Sequence, residues 1–271
     1  MNRWRPSPLL WFSFLLHLCA LILFIAAPHF WLHYWPQILA AIALNHLLLA
    51  AAGLWPRSTL LGSNWLRLPA AAALRGEIAL TIDDGPDPEV TPRVLDILDR
   101  YGARATFFCI GERARQHADL CREIARRGHA VENHSLRHRH TFSLRGYAAL
   151  RREIDAAQTA LSAIAGSRPQ FFRAPAGLRN PFLDPVLAHC DLQLAAWTRR
   201  GFDTRTNDAA LVLQRLTRGL RAGDILLLHD GHAARTAAGT PIVVAVLPEL
   251  LAKIRAAGLT PVTLRAARAP Q

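Results

Sequence analysis

The sequence predicts an α/β fold, parallel strands with helices packed outside them, preceded by an apolar helical hairpin of membrane-spanning length. Three observations carry this reading. No formally charged residue stands between Arg5 and Arg57, and a spanning helix needs about 20 apolar residues, so the stretch can hold two. From Glu77 onward short β-rich runs alternate with amphipathic stretches, the pattern of repeated βα units. The polar residues with chemical potential fall where the strand-like runs end, the rim at which parallel α/β folds bind ligands. An open sheet and a barrel both satisfy this pattern.

Residues 9–27 and 37–55 read as the two spans, and Pro28 and Pro36 bracket a short link whose tryptophans and tyrosine suit a membrane interface. A cleaved signal peptide competes for the first span, with Arg3 and Arg5 as its basic region and Ala26-Ala27 as a weak cleavage site. The apolar stretch is longer than such a segment needs and a second follows at once, which favours an anchor. His17, Asn45 and His46 lie within the spans and read as helix-packing residues. Arg3, Arg5 and Arg57 flank the outer ends and the link has no basic residue, so the positive-inside rule puts both ends in the cytoplasm. Residues 60–68, with Trp65 and Arg67, are expected to lie along the interface. The expected divisions are therefore an anchor over 1–56, an interfacial linker over 57–76 and a catalytic domain over 77–271.

In that domain residues 77–82 read as the first strand. Thr91 is expected to cap the next helix, with Pro92 in its first turn and Gly102 at its stop. Strands follow at 105–111, 129–133, 170–175, 192–197, 224–230 and 259–264, with helices near 113–127, 145–165, 208–220 and 242–257.

Composition excludes several classes. With 51% hydrophobic and 19% charged residues the chain is neither disordered nor a coiled coil. Cys19, Cys109, Cys121 and Cys190 form no CxxC pair and no disulfide framework. The formal charge is +12, Lys253 is the only lysine, and residues 1–76 carry five arginines and no acid. No long basic run or alternation of arginine with aromatics appears, so nucleic acid is not an expected partner. Anionic lipid or a phosphorylated substrate fits the charge, as does a compositional bias toward arginine.

Asp84, His134 and His138 would form a site of one carboxylate and two imidazoles, leaving a coordination position open, as a catalytic zinc requires. The spacing of four puts both rings on one side of a helical turn. Adjacent carboxylates repel unless a cation neutralises them, so the Asp83-Asp84 pair lets one bind metal while the other faces the reacting water. Asp83-Asp84-Gly85-Pro86 is also a plain turn sequence, which explains the Gly-Pro but not the doublet. His229, at the end of its strand, is placed to act as general acid opposite Asp83 as base.

Residues 81–88 (TIDDGPDP), 134–138 (HSLRH), 173–177 (RAPAG) and 227–229 (LLH), in this order, resemble the motifs of the NodB-homology polysaccharide deacetylases, carbohydrate esterase family 4. The resemblance implies a distorted (β/α) barrel and metal-dependent removal of an N- or O-acyl group from a sugar, here expected to be the amide of an N-acylated amino sugar. It implies Asp83 as base, Asp84, His134 and His138 as ligands to zinc, with cobalt or nickel as alternatives, Arg173 as the group orienting Asp83, and His229 as acid. Leu227 would line the acyl pocket and the Ala176 backbone N–H would serve as an oxyanion donor. Three departures stand out. Ala176 replaces an aromatic residue. The fourth motif reduces to Arg200-Gly201-Phe202-Asp203-Thr204, in which Asp203 is left to orient His229 or Arg173 and Trp197 to fill in for a lost ring. His140 is a spare imidazole read as a bystander.

The hairpin, the basic domain and the pared-down sugar groove suit the family branch that deacylates an amino sugar on polyprenyl phosphate, here at the cytoplasmic face of a bacterial inner membrane. An extracytoplasmic polysaccharide or peptidoglycan deacetylase is the alternative. An inactive membrane-tethered sugar-binding module is a second, which predicts loss of at least one member of the base, metal and acid set.

Overall fold

The computed structural model describes residues 4–268; Arg3 of the basic flank lies outside them. Helix α1 (Pro8–Ala26) and helix α2 (Pro28–Leu54) form the hairpin, with mean hydropathies of 2.5 and 1.8 over their most apolar windows. The expected link over residues 28–36 does not form. The chain turns at Ala27 alone, and Pro28, pre-set at a helical φ, opens a helix that carries Pro36 inside it. Asn45 donates to the Ser13 hydroxyl at 2.9 Å and the His17 and His46 rings stack, so the polar residues of the spans face each other across the hairpin. Outward the helices are apolar: Ile25, Leu44 and Leu54 are each about two-thirds exposed.

Beyond the hairpin come α3 (Ala70–Leu74), β1 (Glu77–Asp83), α4 (Val90–Arg100), β2 (Thr106–Cys109), α5 (Gly111–Gln116), α6 (Ala118–Arg126), β3 (Ala130–Asn133), α7 (Tyr147–Ala165), β4 (Phe171–Phe172) and α8 (Leu183–His189). They are followed by β5 (Gln193–Leu194), β6 (Arg199–Arg200), α9 (Ala209–Thr217), β7 (Ile225–His229), α10 (Ile242–Ala256), β8 (Thr260–Val262) and α11 (Leu264–Arg268). All sheet pairings are parallel, in the order β5-β4-β3-β2-β1-β7-β6, with β8 against the start of β1. This is a half-barrel open between β5 and β6. The helix expected over 113–127 is broken at His117, and β6 is a strand that residue patterning missed. Thr91 does not cap α4. It lies one residue inside, fully buried, where its hydroxyl accepts from the Asp87 N–H and donates to Asp230.

Strand parity decides what each side chain meets, since neighbours on a strand point to opposite faces. Ile78, Leu80 and Ile82 of β1 and Leu226 and Leu228 of β7 turn outward into the core under α4, α9 and α10. Burying each such side chain is worth about 1.5–3 kcal/mol. Ala79 of β1, Ile225 and Leu227 of β7, Phe108 of β2 and Phe171 of β4 turn into the barrel. The same parity aims Asp83 and His229, register partners at the strand ends, into the mouth of the barrel.

Residues 60–68, expected along a membrane interface, also pack against the barrel. The Trp65 N–H donates to Leu194 C=O, Ala196 N–H to Trp65 C=O, and Leu68 N–H to Gly223 C=O, so residues 65–68 run from β5 to the start of β7 across the opening between β5 and β6. Trp65 packs on Phe171, and Arg67 pairs with the buried Asp224 at 2.6 Å. An unpaired sheet edge is a liability, and this segment covers it.

Candidate active site

A cavity of about 650 Å³ opens at the C-terminal ends of the strands, within the usual range for small-molecule sites. Asp83, Asp84, His134, His138, Ala176, Trp197, Leu227 and His229 all line it. Arg173 lies beneath, with 1% of its surface exposed.

Arg173 follows β4 directly, on the inward parity of Phe171. Its Nη1 donates to Asp83 Oδ1 and to the Thr81 hydroxyl, each at 2.7 Å, while Nε and Nη2 donate to the Ala195 and Ala196 carbonyls at 3.0 and 2.8 Å. A buried guanidinium is costly unless so surrounded, and these four bonds fix the orientation of the Asp83 carboxylate. Asp203 turns the other way. Its Oδ1 accepts from His229 Nδ1 at 2.9 Å and its Oδ2 from the His229 backbone N–H at 2.7 Å, so Asp203 orients His229 and not Arg173. Burial disfavours the His229 imidazolium, but the Asp203 carboxylate outweighs it and His229 is pushed up to about 8.

The Asp84, His134 and His138 ligand atoms lie within 4.8 Å of one another. His134 Nδ1 sits 2.8 Å from the Arg173 carbonyl, which can only accept, so Nδ1 carries the proton and Nε2 presents its lone pair. His134 Nε2 and His138 Nε2 stand 3.2 and 3.3 Å from Asp84 Oδ1, yet that oxygen is buried without a hydrogen-bond partner. Three donor atoms converging on a point that hydrogen bonding leaves unsatisfied suit a divalent ion. Burial favours the neutral Asp84, but its imidazole neighbours win and hold it far below the usual carboxylate range. Burial pushes His138 down to about 4, toward the neutral form a ligand needs.

The helical turn expected for residues 134–138 is instead a loop. Ser135 and His138 adopt φ of 66° and 50°, and the rings meet with centroids 4.6 Å apart because the loop folds back, not because of helical spacing. Asp84 is also left-handed, at φ 74°. Such residues cost of order 1–3 kcal/mol each and concentrate at functional sites. Ala176, at φ 54°, adds a fourth on the cavity wall. His140 lines the cavity but stands outside the three-donor cluster.

Several neighbours escaped the sequence reading. Arg113 donates to the Asp84 carbonyl at 2.9 Å and holds the strained turn. Asp230 is buried against Gly85, where a Cβ would come within 2.3 Å of its carboxylate, and burial raises it to about 7. His232 stands 3.8 Å from Asp84. The run His229-Asp230-Gly231-His232 was the available signal, and parity on β1 was the signal for Thr81.

The end of α2 is built into the same wall. Arg179 N–H donates to the Gly53 carbonyl at 3.1 Å, and the Arg179 guanidinium bonds Ser58 C=O. A Cβ at Gly177, itself at φ 74°, would meet Pro56 at 2.6 Å and the Trp197 ring at 2.7 Å. Only glycine lets the chain after α2 approach the cavity so closely.

The polysaccharide deacetylase family model matches residues 71–195. A peptidoglycan-N-acetylglucosamine deacetylase from Bacillus cereus is 30% identical over 189 residues, covering 69% of this chain and 85% of that protein. A chitooligosaccharide deacetylase from Azorhizobium caulinodans is 33% identical over 158 residues, 58% of this chain and 75% of that one. Among solved structures, a family 4 carbohydrate esterase from Streptomyces lividans in complex with acetate superposes with a TM-score of 0.64 at 30% identity, over 72% of this chain and 97% of that one. A family 4 pseudoenzyme from Bacillus anthracis shares the fold at 20% identity, with a TM-score of 0.67 over 76% of this chain and 68% of its own.

Proposed function

Because the chain belongs to the polysaccharide deacetylase family, we propose that it is a metal-dependent hydrolase removing an N-acyl group, acetyl or formyl, from an amino sugar carried by a lipid at the membrane surface. The observation that carries the chemistry is the pair of oriented groups flanking the three-donor cluster: Asp83 held by Arg173, and His229 held by Asp203. A divalent ion, zinc foremost, held by Asp84, His134 and His138 would supply Lewis acidity toward the acyl carbonyl and the attacking water. Asp83 takes the proton from that water as it adds to the carbonyl carbon. His229, protonated at neutral pH because of Asp203, gives its Nε2 proton to the nitrogen as the C–N bond breaks. Ala176 offers its N–H to the developing oxyanion. Leu227 and Trp197 make the apolar wall against which the acyl group and the sugar ring lie.

Two features support the lipid-linked reading. The hairpin exposes apolar surface along its length, and both of its domain-side ends, Trp4 through Asp184 and Gly53 through Arg179, are tied to the deacetylase domain. The chain leaving α2 packs through Pro56 against Gly177 of the cavity wall, so a substrate anchored in the bilayer has its sugar near the site. Divisions at 1–56, 57–76 and 77–271 follow, with residues 57–76 serving as the strap from anchor to barrel. With the arginines on the outer flanks, the domain lies on the cytoplasmic face of a bacterial inner membrane.

The relatives act on peptidoglycan and chitooligosaccharides, which keeps an extracytoplasmic polymer deacetylase as the second reading. Reporter fusions separate the two. Alkaline phosphatase fused after Gln271 is expected to be inactive and a fluorescent protein at the same place bright. An active phosphatase would move the domain outside and hand the substrate to the polymer reading. The sugar-binding module without activity predicts a missing base, ligand or acid, and each of those positions is filled.

A further inference from the structure

We infer that Arg200 and Arg205 form an anion subsite beside His229 that binds a phosphate group of the substrate. This inference rests on the amino-sugar reading above and specifies what the sugar carries.

Four arginines line the cavity, and two of them are already engaged. Arg113 holds the Asp84 carbonyl and faces His232 at 3.1 Å, and Arg137 pairs with Glu112 at 2.5 Å. Among the described residues no carboxylate lies within 4.0 Å of Arg200 or Arg205, and Arg200 Nε is buried with no hydrogen-bond partner. The nearby acids cannot serve. Both oxygens of Asp203, the acid between them in sequence, are taken by His229, and Asp83 is held by Arg173. Burial is the main influence lowering the Arg200 pKa, and the Arg205 charge adds to it against the pull of Asp203 and Asp83, neither of which pairs with the guanidinium.

The geometry says which part of each group is free. The Arg200 guanidinium lies 5.4 Å from the Trp197 ring centroid and 4.9 Å from that of Phe202, so aromatic rings occupy its faces and its edge N–H groups remain. A guanidinium edge is a planar fork of donors, and two such forks suit a tetrahedral anion with several terminal oxygens better than a single carboxylate. Arg200 is the register partner of Leu227 on β7, two residues before His229. The subsite therefore lies on the acid's side of the cavity, where the sugar rather than the water would sit. A phosphate joining sugar to lipid matches that position.

The test uses the full-length, zinc-loaded protein in phosphatidylcholine nanodiscs, with N-acetylglucosamine and N-acetylglucosamine 1-phosphate as paired probes. The ratio of their kcat/KM values is expected to favour the phosphate ester by about a hundredfold, carried by KM, since each charge-assisted contact is worth about tenfold. Arg200→Gln and Arg205→Gln should each cut that ratio about tenfold and the double variant should bring it near one. Arg205 is exposed, so its substitution does not threaten the fold. A wild-type ratio near one, or a ratio that survives Arg205→Gln and the double variant, overturns the inference. Phosphatidylglycerol vesicles that abolish the preference would assign the arginines to membrane headgroups, also overturning it. If neither sugar is deacylated while inorganic phosphate binds the wild type and not the double variant, the amino-sugar reading fails and the anion subsite stands.

Discussion

The two ends of the barrel use the same residue types to opposite purposes. At the N-terminal end of β7, buried Asp224 accepts from Arg67 at 2.6 Å, from Arg199 at 2.5 Å and from the Arg221 N–H at 3.1 Å. Glu132 likewise takes Arg265 at 2.5 Å and the N–H groups of Gln170 and Phe171. Every carboxylate there is satisfied within the chain. At the C-terminal rim Asp84 Oδ1 and Arg200 Nε are buried without partners, and Asp84, Ser135, His138 and Ala176 hold left-handed backbone. Closed ion-pair networks hold the barrel together, whereas the open valences at the rim stand where the proposed ion and substrate would complete them. Charge at the first end should thus govern stability, and charge at the second turnover.

Removing the open valences tests this most severely. Asp84→Ala and His134→Ala should lose bound metal and lower turnover by at least about a thousandfold, the scale of losing several kcal/mol of Lewis-acid stabilisation. Their melting temperatures should stay close to that of the wild type, and unfolding of both variants would erase the contrast. Next in size is Asp224→Ala. Deleting one partner of a buried ion pair costs about 3–5 kcal/mol, but Arg67 and Arg199 keep some access to water, so a loss of about 2–3 kcal/mol in a denaturant titration is expected. The folded fraction should retain its kcat.

The smallest effect sharpens the assignment of His229. Its proton is needed for the leaving nitrogen, so turnover should decline as pH rises through about 8. Asp203→Asn removes the charge that opposes burial, and the decline should begin at lower pH. The same pair bears on stability. Raised from its ordinary 6.5, His229 contributes stability fully present below that value and lost as pH climbs through about 8. A pH profile unchanged by Asp203→Asn would separate the two residues.

The contrast also explains what could be read without coordinates. Asp83, Asp84, Arg173 and His229 stand at strand ends, and strand ends are local facts. Parity then aims them inward, which is why the site emerged from short motifs. Barrel closure did not emerge, because Trp65–Ala195 and Arg67–Asp224 join residues more than a hundred positions apart and no periodicity marks residues 65–68. The His134–His138 spacing pointed to two rings that the structure brings together by a different geometry, since the Ser135 N–H donates to Asn133 Oδ1 and the His138 N–H to Ser135 Oγ, folding a loop where spacing alone suggested a helical turn. Proline at residue 36 read as a boundary, yet α2 runs through it. Arg200 looked like a departure from a motif, and only its unpaired surroundings give it a role.

In the proposed mechanism one carboxylate of the Asp83-Asp84 pair holds metal while its neighbour moves a proton. Asp83→Asn measured for metal content and for amine release on the same preparation tests that directly. The expected result is one equivalent of zinc, as in the wild type, with kcat lower by at least about a hundredfold. Metal lost in step with activity, or full activity with metal retained, would contradict it.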